Sequence, residues 1–169
     1  LSLPGSTAQI VSDVNCQLVR DVEDSGQFMT LFYMTIDPAN QNLQWVRAGH
    51  DPGIFYDPAA DTFEDLKGEG LALGVDGGWR YVMNERIGLV KGQLIVLSTD
   101  GVWEARNRTG EIFGKARLYE IIRQNSNKQS KEILEAVLVS LDRFQKDSAI
   151  EDDITLVVIK VEKNLTNSC

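Results

Sequence analysis

The sequence predicts an α+β domain built in layers, and three observations support this fold class. Short apolar segments separated by turn signals fill most of the first 97 residues, two helical segments follow, and one further strand closes the chain. Strands first and helices afterwards are typical of an α+β arrangement with antiparallel pairing. With 169 residues, 43% of them hydrophobic and 25% charged, the chain has the size and composition of one globular domain.

The first part of the chain predicts a helix and a series of strands. Residues 6–20 have apolar side chains at helical spacing, and Ser6 with Gln9 forms a capping-box pattern. Residues 28–36 are apolar on both alternating faces, which predicts a strand buried on two sides, and residues 43–48 return the chain as a hairpin. Residues 68–78 hold five glycines and predict a loop. Four further strands are predicted, at residues 54–56, 63–66, 80–90 and 93–97.

The second part predicts two helices and the closing strand. Residues 115–124 and 131–144 have helical apolar spacing, and Ser130 is the expected N-cap of the second helix. Residues 154–161 predict the closing strand. We therefore expect a domain over residues 1–162 and a polar, frayed tail over residues 163–169.

Two acidic clusters stand at strand ends. The segment 94–101 (LIVLSTDG) is an apolar strand that stops at Asp100 and Gly101, whereas Asp152 and Asp153 directly precede the last strand. If these two strands pair side by side and antiparallel, both clusters lie at one edge of one sheet. Neighbouring carboxylates repel one another unless a cation joins them, and oxygen ligands suit magnesium or manganese. The pattern indicates a divalent-metal site, although most Asp-Gly pairs are turns and most Asp-Asp pairs are solvated loops.

Other kinds of active site find little support in the sequence. His50 is the only histidine and cannot form a zinc cluster with two distant cysteines, so we expect it to be a structural loop residue. Neither a Gly-x-Ser-x-Gly nucleophile motif nor a phosphate-binding loop motif is present.

Charge, hydropathy and cysteine content restrict the partners and the compartment. The formal net charge of −8 argues against a nucleic-acid surface. No apolar stretch reaches the ~20 residues that a membrane helix needs, and no signal peptide is visible. Two cysteines are too few for a disulfide framework, so a reducing cytoplasm is the expected location.

Several segments taken together in order resemble a known family. They are residues 28–33 (FMTLFY), 48–52 (AGHDP), 73–75 (LGV), 98–107 (STDGVWEARN), 113–114 (FG) and 152–156 (DDITL). This series resembles the bacterial metal-dependent Ser/Thr protein phosphatases of the sporulation-protein-E and stress-response type, relatives of protein phosphatase 2C in the PPM superfamily. The resemblance extends from about residue 6 to about residue 161.

The resemblance implies a fold, a reaction and roles for individual residues. It implies two antiparallel sheets packed as a sandwich and flanked by helices, with a pair of manganese or magnesium ions at one end. The implied substrate is a phosphoserine or phosphothreonine on a regulatory protein such as an anti-sigma-factor antagonist. Asp100 and Asp152 would be metal ligands, Asp153 would bind metal secondarily or support the site, and Gly101 would let the backbone approach it. The Gly49-His50-Asp51 turn would be structural.

One departure from the family pattern leaves alternatives open. The family begins with a strand carrying a Gly-Asp motif whose aspartate bridges both metals, and this sequence has no such segment, so we expect an incomplete two-metal site and an open sheet edge that favours a homodimer. The leading hypothesis is a phosphatase that uses a metal-activated water. The first alternative is an inactive domain of the same fold that binds a phosphoprotein or a second copy. The second is a structural domain that holds a single cation.

Overall fold

The computed structural model describes residues 5–22, 25–146 and 153–162. Three α-helices lie in these ranges, α1 (Thr7–Val22), α2 (Gly114–Asn125) and α3 (Ser130–Gln145). The strands are β1 (Leu31–Asp37), β2 (Asn42–Ala48), β3 (Gly53–Asp57), β4 (Thr62–Leu66), β5 (Asn84–Ile87), β6 (Leu94–Ser98) and β7 (Leu156–Lys160). None of the helices in these ranges combines the length and apolar character needed to cross a bilayer.

The described residues divide into two compact units, and the first contains α1 and a three-stranded sheet. This unit holds the residues up to Pro52 together with Lys67–Leu89. Its sheet has the antiparallel order β1-β2-β5, with β2 in the centre. Helix α1 packs on this sheet because its apolar face meets buried side chains of β2 and of the segment that follows residue 67. The buried members of this core are Val11, Val46, Ala48, Leu73 and Tyr81.

The second unit carries the other sheet together with α2 and α3. It holds Gly53–Leu66 and the described residues from Val90 onward. The sheet is antiparallel in the order β4-β3-β6-β7, so β6 is a central strand. Alternate residues of β3 and β6 share one core with both helices, as the period of two in a strand requires. This core includes Ile54, Tyr56, Leu94, Val96, Val102, Leu118, Ile122, Ile133, Val137 and Leu141.

The predicted α+β class with two antiparallel sheets is confirmed, and so is the hairpin of β1 and β2. The prediction that the first strand is buried on two sides is wrong, because no residue of β1 is fully buried and Tyr33 is 43% exposed. Among the residues that the structure describes, β1 pairs with β2 alone and is an edge strand of its sheet. The apolar pattern therefore predicted the strand correctly but not its exposure to solvent.

The strand predicted at residues 80–90 is shorter in the structure and covers only Asn84–Ile87. Tyr81 lies outside the strand and its polar groups bond elsewhere. Its backbone N–H donates to the hydroxyl of Ser12 in α1, and its side-chain hydroxyl donates to the Leu71 carbonyl. At the other end Gly88 has a φ of +79°, which ends the extended backbone. The strands β5 and β6 also belong to different sheets.

Helix caps agree with the sequence at one helix and differ at another. The Gln9 N–H donates to the Ser6 hydroxyl at 3.3 Å, as expected from the capping-box pattern. Ser130 was the predicted N-cap of α3, but the cap is Gln129, whose N–H donates to the Glu132 carboxylate at 3.1 Å. Glutamine is an uncommon N-cap residue and serine is a preferred one, so N-cap preferences alone predict Ser130 in place of Gln129. The predicted tail at residues 163–169 lies outside the described residues.

Candidate active site

Asp100 lies where β6 ends, on a turn that holds its carboxylate in place. Thr99 continues the extended backbone with φ −77° and ψ 161°, and a short 3-10 turn then runs over Asp100–Val102. One Asp100 carboxylate oxygen accepts the Gly101 N–H at 3.0 Å, and the Asp100 carbonyl accepts the Glu104 N–H at 2.8 Å. Asp100 is exposed while Gly101 is buried, so the carboxylate is accessible to solvent and the turn that carries it is packed against the protein.

The turn is fixed because the residues after it enter the core of the second unit. Val102 is fully buried and Trp103 is 8% exposed. The Trp103 carbonyl accepts the Gly114 N–H at 2.8 Å, and the Lys115 ammonium lies 4.3 Å from the centre of the Trp103 ring. The start of α2 is thus tied to the turn that carries Asp100, which limits how far the carboxylate can move.

The start of β7 meets the end of β6, as the sequence argument required. The two strands are antiparallel, and Ser98 pairs with Leu156 at the end of the ladder. One residue further on, the Thr99 N–H donates to the Thr155 carbonyl at 3.1 Å, and the Thr99 hydroxyl donates to the Asp153 carbonyl at 3.0 Å. The structure therefore brings Asp153 to the sheet edge where Asp100 lies, and both residues are exposed. Asp152, the other predicted ligand, lies outside the described residues.

The oxygen groups at this edge suit a hard divalent cation. Within residues 5–22, 25–146 and 153–162, no group of three or more His, Cys, Asp and Glu side chains could hold a metal ion. Magnesium and manganese keep several waters and need only one or two protein carboxylates beside them. Asp100 and Asp153 supply carboxylates on the segments that follow β6 and precede β7, so the described donors fit such an ion in kind.

Two residues beside Asp100 were not singled out from the sequence. Thr99 makes side-chain hydrogen bonds to the approach of β7. Ser98 is 7% exposed, and its hydroxyl has no hydrogen-bond partner among the described residues. The available signal for Thr99 was a hydroxyl residue placed between a buried strand and an acidic turn, because such side chains readily bond to nearby backbone groups.

His50 lies in the first unit and makes contacts of a structural kind. Its ring Nδ1 is 3.1 Å from the Thr30 hydroxyl, and its carbonyl accepts the Arg47 Nε–H. Gly49 before it has a φ of +71°, and an added Cβ would lie within 2.9 Å of Ala72 atoms. These contacts agree with the expectation that the turn is structural.

Solved structures of phosphatase domains share this fold. The SiaA-PP2C domain of Pseudomonas aeruginosa matches with a TM-score of 0.78 and 22% identity, over 92% of this chain and 61% of that one. The phosphatase domain of the cell fate determinant SpoIIE from Bacillus subtilis (Mn presoaked) matches with a TM-score of 0.61 and 17% identity, over 97% of this chain and 76% of that one. The protein thus has the fold of PP2C phosphatase domains.

The sequence comparisons identify the family within that fold. The phosphoserine phosphatase RsbU of Bacillus subtilis (strain 168) is 31% identical over 153 residues, which is 90% of this chain and 44% of RsbU. The family described as stage II sporulation protein E (SpoIIE) matches residues 2–162. The chain belongs to the SpoIIE family. It spans less than half the length of the curated relatives that it matches.

Proposed function

We propose that this chain is a metal-dependent phosphatase domain that hydrolyses phosphoserine or phosphothreonine on a regulatory protein, such as an anti-sigma-factor antagonist. The observation that supports it best is the pairing of β6 with β7, which brings Asp100 and Asp153 to one sheet edge. Membership of the SpoIIE family and similarity to a protein named a phosphoserine phosphatase support the reaction class.

In this proposal the acidic edge holds manganese or magnesium. Asp100, Asp152 and Asp153 would be the ligands, because each carries a hard oxygen donor; Asp100 lies just after β6, and Asp152 directly precedes Asp153 in the sequence. A bound divalent cation supplies positive charge that polarises a phosphoryl group and lowers the pKa of water. PP2C-type phosphatases are metal-dependent, and one similar structure is described as presoaked with manganese.

The residues of this chain would provide orientation and access. The Gly101 N–H holds one Asp100 oxygen and so fixes the direction in which the carboxylate points. Gly101 has no side chain, which would let the backbone approach the site closely. In the net reaction water adds to phosphorus, the P–O bond to the serine or threonine breaks, and the released alkoxide takes up a proton. No covalent bond to the protein forms.

Phosphate release from a small aryl phosphate and from a phosphoserine protein tests the proposal. We expect release to require manganese or magnesium, and Asp100→Asn and Asp152→Asn each to lower the rate by about 100-fold, because each removes a ligand charge. Asp65→Asn is the matched control, since Asp65 is an exposed carboxylate on β4 of the same sheet, and its rate should equal that of the unmodified chain. Full activity of both Asp100→Asn and Asp152→Asn would contradict the proposed site.

A further inference from the structure

We propose that Thr99 is a positioning residue whose hydroxyl sets the metal affinity of the acidic edge by holding the approach of β7 against the Asp100 turn. The inference rests on the proposed function, because it assigns a role to a residue beside the ligands named there. Thr99 itself need not contact the metal.

The hydrogen bonds of Thr99 replace the strand ladder where the ladder stops. The last paired residues of β6 and β7 are Ser98 and Leu156. Beyond them, the Thr99 hydroxyl donates to the Asp153 carbonyl at 3.0 Å and accepts the Thr155 N–H at 3.0 Å. Together with the backbone bond from the Thr99 N–H to the Thr155 carbonyl at 3.1 Å, one residue makes three hydrogen bonds to this segment.

These bonds fix the distance between the two acidic positions. A hydroxyl-to-carbonyl hydrogen bond holds the Cα atoms of Thr99 and Asp153 within about 8 Å of one another. Asp100 follows Thr99 directly in the chain. The hydrogen bond from the Thr99 hydroxyl to the Asp153 carbonyl therefore keeps the backbone that carries the Asp100 carboxylate close to the backbone that carries the Asp153 carboxylate. Residues 153–155 belong to no strand, so the hydroxyl bonds replace ladder bonds there.

Electrostatics explains why such a connection is needed. Two carboxylates near one another repel, and this repulsion opposes bringing the two segments together. Hydrogen bonds that keep the segments together lower the free-energy cost of assembling the ligands when the ion binds. Threonine suits this position because its branched Cβ restricts χ1, which keeps the hydroxyl aimed at the neighbouring segment.

A purely structural role for Thr99 makes a different prediction. If the hydroxyl only added to the stability of the sheet, its removal would lower the melting temperature and leave the metal affinity of the folded protein unchanged. Metal affinity therefore separates the two roles, and it can be measured without any substrate.

The test compares Thr99→Val with Thr99→Ser. Valine keeps the branched shape and removes the hydroxyl, whereas serine keeps the hydroxyl. We expect the dissociation constant for Mn²⁺, measured by calorimetric titration, to rise about tenfold or more in Thr99→Val, because supporting hydrogen bonds of metal ligands typically contribute 10–100-fold. Thr99→Ser should stay close to the unmodified chain. Thr35→Val, at an exposed threonine on β1, is the matched control and should change nothing.

Hydrogen exchange and kinetics provide independent readouts of the same connection. Backbone amides at residues 153–158 should exchange faster in Thr99→Val, because the approach to β7 loses two hydrogen bonds. In the phosphatase assay the manganese concentration for half-maximal rate should rise, while the rate at saturating manganese stays unchanged. If Thr99→Val does not fold, Thr99→Ala and Thr99→Ser form a second pair that differs only in the hydroxyl, with the same expected difference in affinity.

The outcomes separate this inference from the proposed function. Equal Mn²⁺ affinity in the unmodified chain and in Thr99→Val would overturn the role of Thr99 alone, even if exchange were faster. Unmodified protein that binds no Mn²⁺ would overturn both the metal site and this inference. A chain that binds Mn²⁺ more weakly after Thr99→Val and releases no phosphate would support the role of Thr99 and contradict the phosphatase proposal.

Discussion

Replacing Asn15 by alanine should destabilise the first unit more than its position on a helix suggests. Asn15 is fully buried in α1, with 0% of its surface exposed. Its side-chain amide donates to the Asp76 carbonyl at 2.7 Å, and its side-chain oxygen accepts the Gly74 N–H at 3.0 Å. The side chain therefore joins α1 to the glycine-rich loop through both of its polar atoms.

The expected loss of free energy of unfolding in Asn15→Ala follows from these two hydrogen bonds. Each backbone group left without its partner costs about 1–3 kcal/mol when buried, and the lower part of that range applies here because the loop is partly solvated. Alanine regains about 0.5 kcal/mol through its higher helix propensity. The free energy of unfolding should therefore fall by about 2–3 kcal/mol, which corresponds to a decrease in melting temperature of about 4–12 °C.

Urea denaturation followed by circular dichroism and tryptophan fluorescence measures this change. Gln17→Ala is the matched control, because Gln17 is an exposed amide on the same helix and its replacement should stay within about 0.5 kcal/mol. If Asn15→Ala costs no more than Gln17→Ala, the two hydrogen bonds do not stabilise the unit and the reasoning is wrong.

Two further predictions concern backbone geometry and pH. Gly49→Ala should lower the free energy of unfolding by about 3 kcal/mol or more in urea denaturation. The alanine would have to adopt a φ of +71°, and its Cβ would lie 2.8 Å from the Ala72 nitrogen. Gly88→Ala, with a φ of +79° and nothing within 4 Å of the added Cβ, should cost only about 1 kcal/mol, and equal losses would contradict the steric argument. The Arg123 guanidinium, bonded to Asp61 at 2.7 Å, holds the pKa of that carboxyl below 3.8, so Arg123→Gln should raise the pKa in an NMR titration. Because the pKa is lowered on folding, the stabilisation is present above about pH 4 and is lost as the pH falls through the lowered pKa; an unchanged pKa in the variant would refute the assignment.

The sequence was most informative where local pattern alone decides the structure. The helices were located to within about two residues because their apolar spacing repeats over several turns. The acidic edge was predictable because Asp100 follows β6 closely and Asp153 precedes β7 closely, so the two positions must meet if the strands pair antiparallel, and the strands do pair in this way.

The rest depends on contacts between distant residues. Nothing in residues 28–36 indicates that β1 pairs with β2 alone in the described part of the chain, because strand order is set by the whole sheet. The early end of the strand near Tyr81 depends on Ser12, which is 69 residues away in the sequence. The role of Thr99 was hidden for the same reason, since its partners lie 54 and 56 residues further along the chain.

The most direct test of the central claim is the release of inorganic phosphate from a phosphoserine protein by this chain as Mn²⁺ is titrated and then removed with a chelator. The account predicts release that rises with Mn²⁺, stops on chelation, returns when Mn²⁺ is restored, and is about 100-fold slower in Asp100→Asn. Release that is unaffected by the chelator, or equal in Asp100→Asn, would contradict it. A folded chain that releases no phosphate at any Mn²⁺ concentration would contradict it as well, and would favour the alternative of a binding domain with the same fold.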